Sequence, residues 1–164
     1  MVRGSPMTAL FSSQSSDWET PPAIYAALDR RYHFTLDVCA SPETAKCARY
    51  YDQATDGLAQ PWNGRVWCNP PYGRGVGNWL AKGHDELDTH ICELAVFLLP
   101  ARTDTQWFHA YLWDGSAHHP RTGVSIEFMA GRLRFVGGAS SAPFPSMIAC
   151  LRSENSQKDT KHEH

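Results

Sequence analysis

No apolar stretch of the 164-residue sequence approaches the roughly 20 residues that a helix needs to cross a bilayer. The best candidate, 94–99, has only the length of a buried strand. The first 16 residues are polar and contain no apolar segment of the kind that a secretory signal requires. The sequence therefore predicts neither a membrane protein nor a secreted one, and we expect a cytoplasmic protein.

Paired metal ligands are also missing. The five cysteines form no Cys-x-x-Cys pair, and the histidines are not convincingly spaced as ligands. Cys39, Cys68 and Cys150 lie inside apolar runs. An odd number of cysteines in such settings indicates reduced thiols that fill a core in a reducing compartment. We therefore predict no metal site.

An excess of positive charge is absent, since the formal net charge is −2. The protein consequently has no overall basic field with which to hold nucleic acid by counterion release. Any contact with nucleic acid has to come from local pairs of arginines. Each pair fits a solvated surface about as well. The pairs are Arg30 with Arg31, Arg65 with Arg74, and Arg132 with Arg134.

Strand and helix patterns alternate along the chain. Short apolar runs predict strands, and stripes of apolar residues at helical spacing predict helices. Thr20 before Pro21 predicts a capped helix start, and 103–106 has the spacing of a capping box. The predicted strands are 34–39, 48–51, 65–68, 94–99 and 146–151, with a hairpin of 124–129 and 132–136; the predicted helices are 20–31, 78–87 and one from 103 to about 112.

This order of elements predicts an α/β fold. We expect a mostly parallel sheet with a C-terminal antiparallel hairpin and helices on both faces. The chain has room for one domain, predicted over 17–152, with a flexible leader at 1–16 and a flexible tail at 153–164. Ligands of such sheets bind at the carboxyl ends of the strands. The segments 37–40 and 69–72 should therefore face one crevice.

The sequence Asn69-Pro70-Pro71-Tyr72 directly follows a predicted buried strand. Neither proline has an N–H to donate, and consecutive prolines keep the preceding residues out of a helix. The loop therefore displays acceptors: the Asn69 side-chain oxygen and the Pro70 carbonyl can take the two hydrogens of a planar amine. Such contacts fix the amine and favour a more pyramidal nitrogen, which is catalysis by positioning rather than by a strong base.

Tyr72 adds an aromatic ring to this loop. Enzymes that act on a base in a duplex extrude the base first, at a cost of a few kcal/mol. Stacking a base on an aromatic ring contributes about 1–3 kcal/mol, so one ring offsets much of that cost. The alternative is that 69–72 is simply a turn after a strand.

In seven short blocks that follow one another in a fixed order, the sequence resembles the phage-type DNA N6-adenine methyltransferases over about 17–151. The resemblance implies a Rossmann-like methyltransferase fold, S-adenosylmethionine as cofactor, DNA as partner, and adenine N6 as target, in a bacterial host cell. Each block is weak alone, but the ordered set is specific. The blocks lie at 18–21, 36–41, 56–58, 67–73, 98–104, 131–135 and 141–146.

The same resemblance assigns roles to individual residues. It implies that 69–72 is the catalytic loop, and that Arg102 and Arg132 contact DNA or the target base. It also implies a set of cofactor-binding residues, of which Trp18 fits packing nearly as well and Asp56 also fits a simple Asp-Gly turn. The implied cofactor residues are Trp18, Thr20, Asp37, Cys39, Ala40 and Asp56.

The sequence departs from many methyltransferases in one respect, since 37–42 has no glycine to let a cofactor approach the backbone. The same loop type also serves RNA adenine, cytosine N4 and protein glutamine, so these substrates stay open. From another class, a non-catalytic nucleic-acid-binding module with this fold is the alternative. The chain shows no nuclease signature, so we expect a solitary phage or prophage modification enzyme that protects DNA from restriction.

Overall fold

The computed structural model describes residues 18–153. The predicted leader at 1–16 lies outside the described residues, as does the predicted tail apart from Ser153. Within residues 18–153, no helix is both long and apolar enough to span a membrane.

A five-stranded mixed sheet organises the fold, with the spatial order β1-β2-β3-β7-β6. The first three strands run parallel to each other, and β7 and β6 are antiparallel to their neighbours. A separate two-stranded sheet pairs β4 with β5. The strands are β1 (Leu36–Asp37), β2 (Gly64–Cys68), β3 (Cys92–Pro100), β4 (Trp113–Asp114), β5 (His119–Pro120), β6 (Val124–Phe128) and β7 (Ser146–Arg152).

Helices cover both faces of this sheet. The central strand β3 alternates its side chains, so Val96 packs with Leu28 and Tyr32 of the helix Pro22–Tyr32, whereas Phe97 packs with Leu80 of the helix Val76–Asp88. Each fully buried apolar side chain stabilises the fold by about 1.5–3 kcal/mol, which makes the long apolar β3 the centre of the core. The helices are α1 (Pro22–Tyr32), α2 (Val76–Asp88) and α3 (Gln106–Tyr111).

The predicted hairpin of 124–129 with 132–136 is wrong in its second strand. The partner of β6 is β7, whose apolar residues are buried in the sheet centre. Segment 132–136 lies instead in the 129–145 loop, flanked by Gly131 and Gly137 at positive φ (69° and 80°), and it makes one bridge, from Val136 to Glu19. Apolar alternation alone could not distinguish the segment 132–136 from a strand. Its buried residue, Phe135, packs on aromatic rings and takes no part in a ladder of hydrogen bonds between strands.

Two other element predictions need correction. The predicted strand 48–51 is reduced to a single bridge between Asp37 and Tyr50, and the strand predicted at 34–39 is only two residues long. The helix caps also differ from prediction. Thr105 rather than Thr103 caps α3, accepting from the Phe108 N–H at 3.3 Å. Helix α1 has no side-chain cap, because its N-cap residue is Pro21 rather than Thr20, whose hydroxyl contacts Asn69.

Candidate active site

A cleft of about 1750 Å³ opens at the carboxyl ends of the three parallel strands. Its walls include the turn after β1, the loop after β2 and Arg102 after β3. Of the two segments that were expected to face one crevice, 37–40 and 69–72, all residues except Asp37 line this cleft. This is the edge where ligands of α/β sheets bind.

Asn69 is held by its amide nitrogen. Nδ2 donates to the Trp18 carbonyl at 2.8 Å and contacts the Thr20 hydroxyl at 3.1 Å. The Oδ1 atom is buried and has no hydrogen-bond partner among the described residues. A buried acceptor without a donor costs about 1–3 kcal/mol, so a donor that the described residues do not supply would stabilise this atom.

Pro70, Pro71 and Tyr72 also line the cleft. The Tyr72 hydroxyl donates to the Leu98 carbonyl at 3.3 Å, while the ring is partly exposed. Burial of the hydroxyl end raises the pKa of Tyr72 above its ordinary value, so the phenol stays protonated and does not serve as a base. The ring lies 6.4 Å from that of Trp18, at an interplanar angle of 28°.

Asp37 does not line the cleft but braces the turn that does. Its carboxyl accepts from the Cys39 N–H at 3.2 Å and from the Lys46 N–H at 3.0 Å. Burial raises the pKa of this carboxyl to about 6, although the two N–H donors oppose the rise. Cys39 and Ala40 do reach the cleft. Burial, assisted by the Asp37 charge, raises the pKa of the Cys39 thiol to about 12, so this cysteine is a neutral wall residue and not a nucleophile.

Asp56 lines the cleft from an exposed loop. Its Oδ1 accepts from the Leu58 N–H at 3.1 Å and caps a short 3-10 helix, Gly57–Ala59, with φ of 55° at Asp56. Asp56 therefore both forms an Asp-Gly turn and lies in the cleft. Gly57 is required here, because a Cβ atom would lie 2.0 Å from the Val38 carbonyl oxygen. This close contact fixes the Asp56 loop against the turn after β1.

Of the four remaining predicted residues, two line the cleft and two do not. Trp18 lines the cleft, whereas Thr20 is buried behind it with its hydroxyl on Asn69. Arg102 is exposed and lines the cleft. Arg132 is exposed on the 129–145 loop and is outside the lining. That loop leaves and returns at the carboxyl edge, where Phe128 pairs with Met147.

Sequence reasoning missed several cleft residues. Arg74, which the sequence suggested only as one of several arginines for nucleic-acid contact, follows the 69–72 loop by two positions and lines the cleft. Trp107 lies on α3, where an aromatic residue is usually a packing residue, yet it lines the cleft. Trp79 and Phe144 gave no signal, since an aromatic residue in a helix or a Pro-rich loop is usually a packing residue.

Three comparisons bear on this chain. The family model described as DNA N-6-adenine-methyltransferase (Dam) matches residues 8–153. The DNA N-6-adenine-methyltransferase of Escherichia phage T1 is 37% identical over 94 residues, which is 56% of this chain and 38% of the phage protein. The YfdM protein of Escherichia coli is 33% identical over 63 residues, 34% of this chain and 69% of that protein. The crystal structure of the 23S rRNA methyltransferase ErmE matches with a TM-score of 0.52 at 12% identity, covering 82% of this chain and 69% of that one. At that identity, ErmE shows a methyltransferase-like α/β fold and nothing further.

Proposed function

The chain belongs to the DNA N-6-adenine-methyltransferase (Dam) family, and on that premise we propose that it transfers a methyl group from S-adenosylmethionine to the N6 amine of adenine in DNA. The observation that carries the proposal is the Asn69 Oδ1 atom, which is buried at the cleft without a partner in the described chain. An exocyclic amine supplies the hydrogen-bond donor that this atom lacks.

The catalytic loop would hold the amine by its hydrogens. Asn69 Oδ1 accepts one hydrogen and the Pro70 carbonyl accepts the other, which orients the nitrogen and favours a lone pair directed out of the ring plane. The high pKa values of Tyr72 and Cys39 leave both groups neutral. The chain therefore contributes positioning and fixed dipoles in this cleft, and neither of those two groups takes the proton.

The cleft also suits the cofactor. Carboxylates of Asp52 and Asp56 line it near the 38–40 turn, together with the indole ring of Trp79. Carboxylates accept from ribose hydroxyls and from amines, and an aromatic ring packs on an adenine ring. S-adenosylmethionine, when bound, supplies a methyl group on a positively charged sulfur. The residues that would hold it include Cys39, Ala40, Asp56 and Trp18 in the lining, with Asp37 bracing the turn from behind.

The extruded base would stack on Tyr72, whose ring faces the cleft beside the 129–145 loop. That loop packs its Phe135 and Phe144 rings edge-on against Tyr72, at centroid distances of 6.2 and 5.4 Å. The ring is thus fixed on two sides before a base arrives. Because the ring is already fixed, it loses little conformational entropy when a base stacks on it. Stacking therefore offsets more of the free energy that extrusion of the base costs.

Unpaired arginines surround the cleft and would hold the DNA backbone. Arg74 and Arg102 line the cleft, and Arg132 and Arg134 are exposed on the 129–145 loop. The side chains of these four arginines form no ion pair and no hydrogen bond with any residue in 18–153. Because the chain as a whole is acidic, with net charge −2, such a local cluster is the feature that attracts phosphates.

A labelling experiment tests the proposal. The purified protein is incubated with methyl-tritiated S-adenosylmethionine and, separately, with adenine-unmethylated bacterial DNA, total RNA or a protein extract. Labelled DNA is then digested to nucleosides, and the modified nucleoside is identified by chromatography. The Asn69→Ala protein, purified in parallel, measures any contaminating host enzyme.

We expect label in DNA, carried by N6-methyladenine, and none above background with Asn69→Ala. Label in N4-methylcytosine, in RNA alone or in protein alone would replace adenine in DNA by that substrate. Absence of transfer, together with no heat of S-adenosylmethionine binding with or without DNA, would instead indicate a non-catalytic nucleic-acid-binding module. Protection of the modified DNA from methylation-sensitive restriction nucleases would support the proposed role in a phage or prophage.

A further inference from the structure

Thr20 is a buried threonine whose hydroxyl group does not cap the helix that follows it. It is 2% exposed and lies just before α1, whose N-cap residue is Pro21. Its Oγ1 atom lies 3.1 Å from Asn69 Nδ2. Because Thr20 precedes the N-cap residue, its hydroxyl is not placed to cap α1, and its contact instead joins the segment before α1 to the loop after β2.

The Trp18 carbonyl decides which way the Asn69 amide faces. A carbonyl oxygen only accepts, so the amide atom 2.8 Å from it has to be the nitrogen. Thr20 Oγ1 takes the second Nδ2 hydrogen. Rotating the amide by half a turn would set Oδ1 against the Trp18 carbonyl oxygen, which is repulsive. The two acceptors together therefore leave Oδ1 as the atom without a partner in the described chain.

We propose that Thr20 is a positioning residue, which acts through Asn69 by holding its amide so that Oδ1 is presented to the substrate amine. This rests on the proposed function, since it assigns Asn69 Oδ1 to that amine. A group that is oriented before substrate arrives costs no reorganisation during the reaction, and such preorganisation is a large part of catalysis by fixed dipoles.

The 18–20 segment is itself anchored at each residue. The Trp18 ring packs on Phe135 and Phe144 at centroid distances of 5.2 and 5.1 Å. Glu19 pairs with Lys46 at 3.2 Å, and its carbonyl accepts from the Val136 N–H at 3.0 Å. The seat for the Asn69 amide is therefore fixed by the 129–145 loop and by the turn after β1, rather than by Asn69 alone.

The competing role for Thr20 is direct contact with the cofactor. Thr20 is not among the residues that line the cleft, and its hydroxyl is already within hydrogen-bond distance of Asn69. The two roles predict different losses. A cofactor contact affects the affinity for S-adenosylmethionine, whereas a positioning residue affects the rate of the bound complex and the Asn69 amide itself.

The first test observes the Asn69 amide without any reaction. In a proton–nitrogen NMR spectrum, the Asn69 side-chain signals are identified by their loss in Asn69→Ala. We expect Thr20→Val, which keeps the shape but removes the acceptor, to shift these signals and to speed exchange of the amide protons with solvent. Thr20→Ser should restore them. The matched control is Thr35→Val, which removes a hydroxyl that accepts from the Arg65 N–H at 3.0 Å, before β1 and outside the cleft lining.

The second test measures turnover and cofactor affinity. Thr20→Val should lower the single-turnover rate on adenine-unmethylated DNA by about 10-fold to 100-fold, the size expected for loss of one orienting hydrogen bond, with an unchanged Kd for S-adenosylmethionine. Thr20→Ser and Thr35→Val should keep rates close to that of the wild-type protein. Thermal unfolding checks each fold, and Thr20→Ala replaces Thr20→Val if the latter is unstable.

The outcomes are separable. Asn69 signals that Thr20→Val leaves in place would overturn the proposal, because the contact would not exist in solution. A weaker Kd for S-adenosylmethionine with an unchanged rate at saturating cofactor would also overturn it and make Thr20 a cofactor ligand. If the wild-type protein transfers no methyl group to DNA, the proposed function fails, while the amide signals still decide whether Thr20 orients Asn69.

Discussion

An asparagine stands at each end of β2, and the two ends of this strand differ in what surrounds them. Asn63 precedes the strand and Asn69 follows it. Each has a buried Oδ1 atom with no hydrogen-bond partner among the described residues. An unsatisfied acceptor is therefore present at both edges of the sheet, and by itself it does not distinguish a site from a packing imperfection.

The surroundings make the distinction. At the amino edge the backbone is closed: the Trp62 N–H donates to Glu86 Oε2 at 3.0 Å, and the Gly64 N–H donates to the Ile91 carbonyl at 2.9 Å. At the carboxyl edge Asn69 lines a cleft, and its amide nitrogen is held by two acceptors. A neighbouring cleft and a fixed amide orientation are therefore what distinguish Asn69, and Asn63 lines no part of that cleft.

The sharpest way to break this comparison is to remove each asparagine in turn. Asn69→Ala should reduce methyl transfer by at least about 100-fold to 1000-fold, as for loss of one preorganised polar group at a reacting centre. Asn63→Ala should leave the rate close to that of the wild-type protein. Single-turnover kinetics on adenine-unmethylated DNA, with circular dichroism to check folding, gives both values. Equal losses in the two variants would mean that β2 matters only for stability.

The next comparison is between unpaired arginines on the 129–145 loop and unpaired arginines elsewhere. Arg132→Ala/Arg134→Ala should raise the KM for DNA and lower the slope of log affinity against log salt by about 2, roughly one for each phosphate contact. The matched control, Arg30→Ala/Arg49→Ala, removes two exposed arginines that also lack a described ion pair. Filter binding over a salt series gives the slopes. An identical change in both double variants would show that net charge, and not the 129–145 loop, attracts the DNA.

Much of this edge could be predicted from the sequence. The Asn-Pro-Pro-Tyr loop follows a buried strand, so parallel topology was enough to place it beside the turn after β1. The apolar runs of β2, β3 and β7 are unambiguous because both faces of the sheet are covered. The existence of these strands thus depends on local pattern, which a sequence contains.

What could not be predicted depends on contacts between distant residues. Thr20 has the local pattern of a helix cap, but a stronger tertiary use for its hydroxyl exists at Asn69, 49 residues away along the chain. The family resemblance implies that Asp37 binds the cofactor, but its carboxyl already accepts hydrogen bonds from the backbone N–H groups of Cys39 and Lys46. The partner of Thr20 is not visible from spacing, because Asn69 is brought near by tertiary packing, and the Lys46 N–H reaches Asp37 only through the path of the loop after β1.

Asp37 gives a smaller and pH-dependent test. Its pKa is raised to about 6 by burial, so the folded protein holds this proton more tightly than the unfolded chain. The resulting stabilisation is fully present below the ordinary carboxyl pKa of 3.8 and is lost as the pH rises through about 6. Between pH 4 and pH 7, the unfolding free energy of the wild-type protein should therefore fall relative to that of Asp37→Asn, by on the order of 2 kcal/mol.

Urea unfolding of both proteins across this pH range checks the prediction, and the difference between them cancels the other carboxyls. Asp37→Asn should be less stable at every pH tested, because its amide nitrogen faces one of the two N–H donors. Parallel pH curves for the two proteins would show that Asp37 is ionised with an ordinary pKa. The bracing of the turn after β1 would then need another cause.

The smallest effect is expected at the amino edge, where charges are already paired. Glu93 forms an ion pair with Arg65 at 3.0 Å, with side-chain exposures of 60% and 27%. Glu93→Gln should change the unfolding free energy by no more than about 1 kcal/mol, because water screens an exposed pair and Arg65 retains its bond to the Tyr32 carbonyl. Methyl transfer should not change, as Glu93 is distant from the cleft along β3. A large loss of turnover in this variant, measured beside Asn69→Ala, would mean that the two edges of the sheet are coupled and that the cleft is not the self-contained unit its geometry indicates.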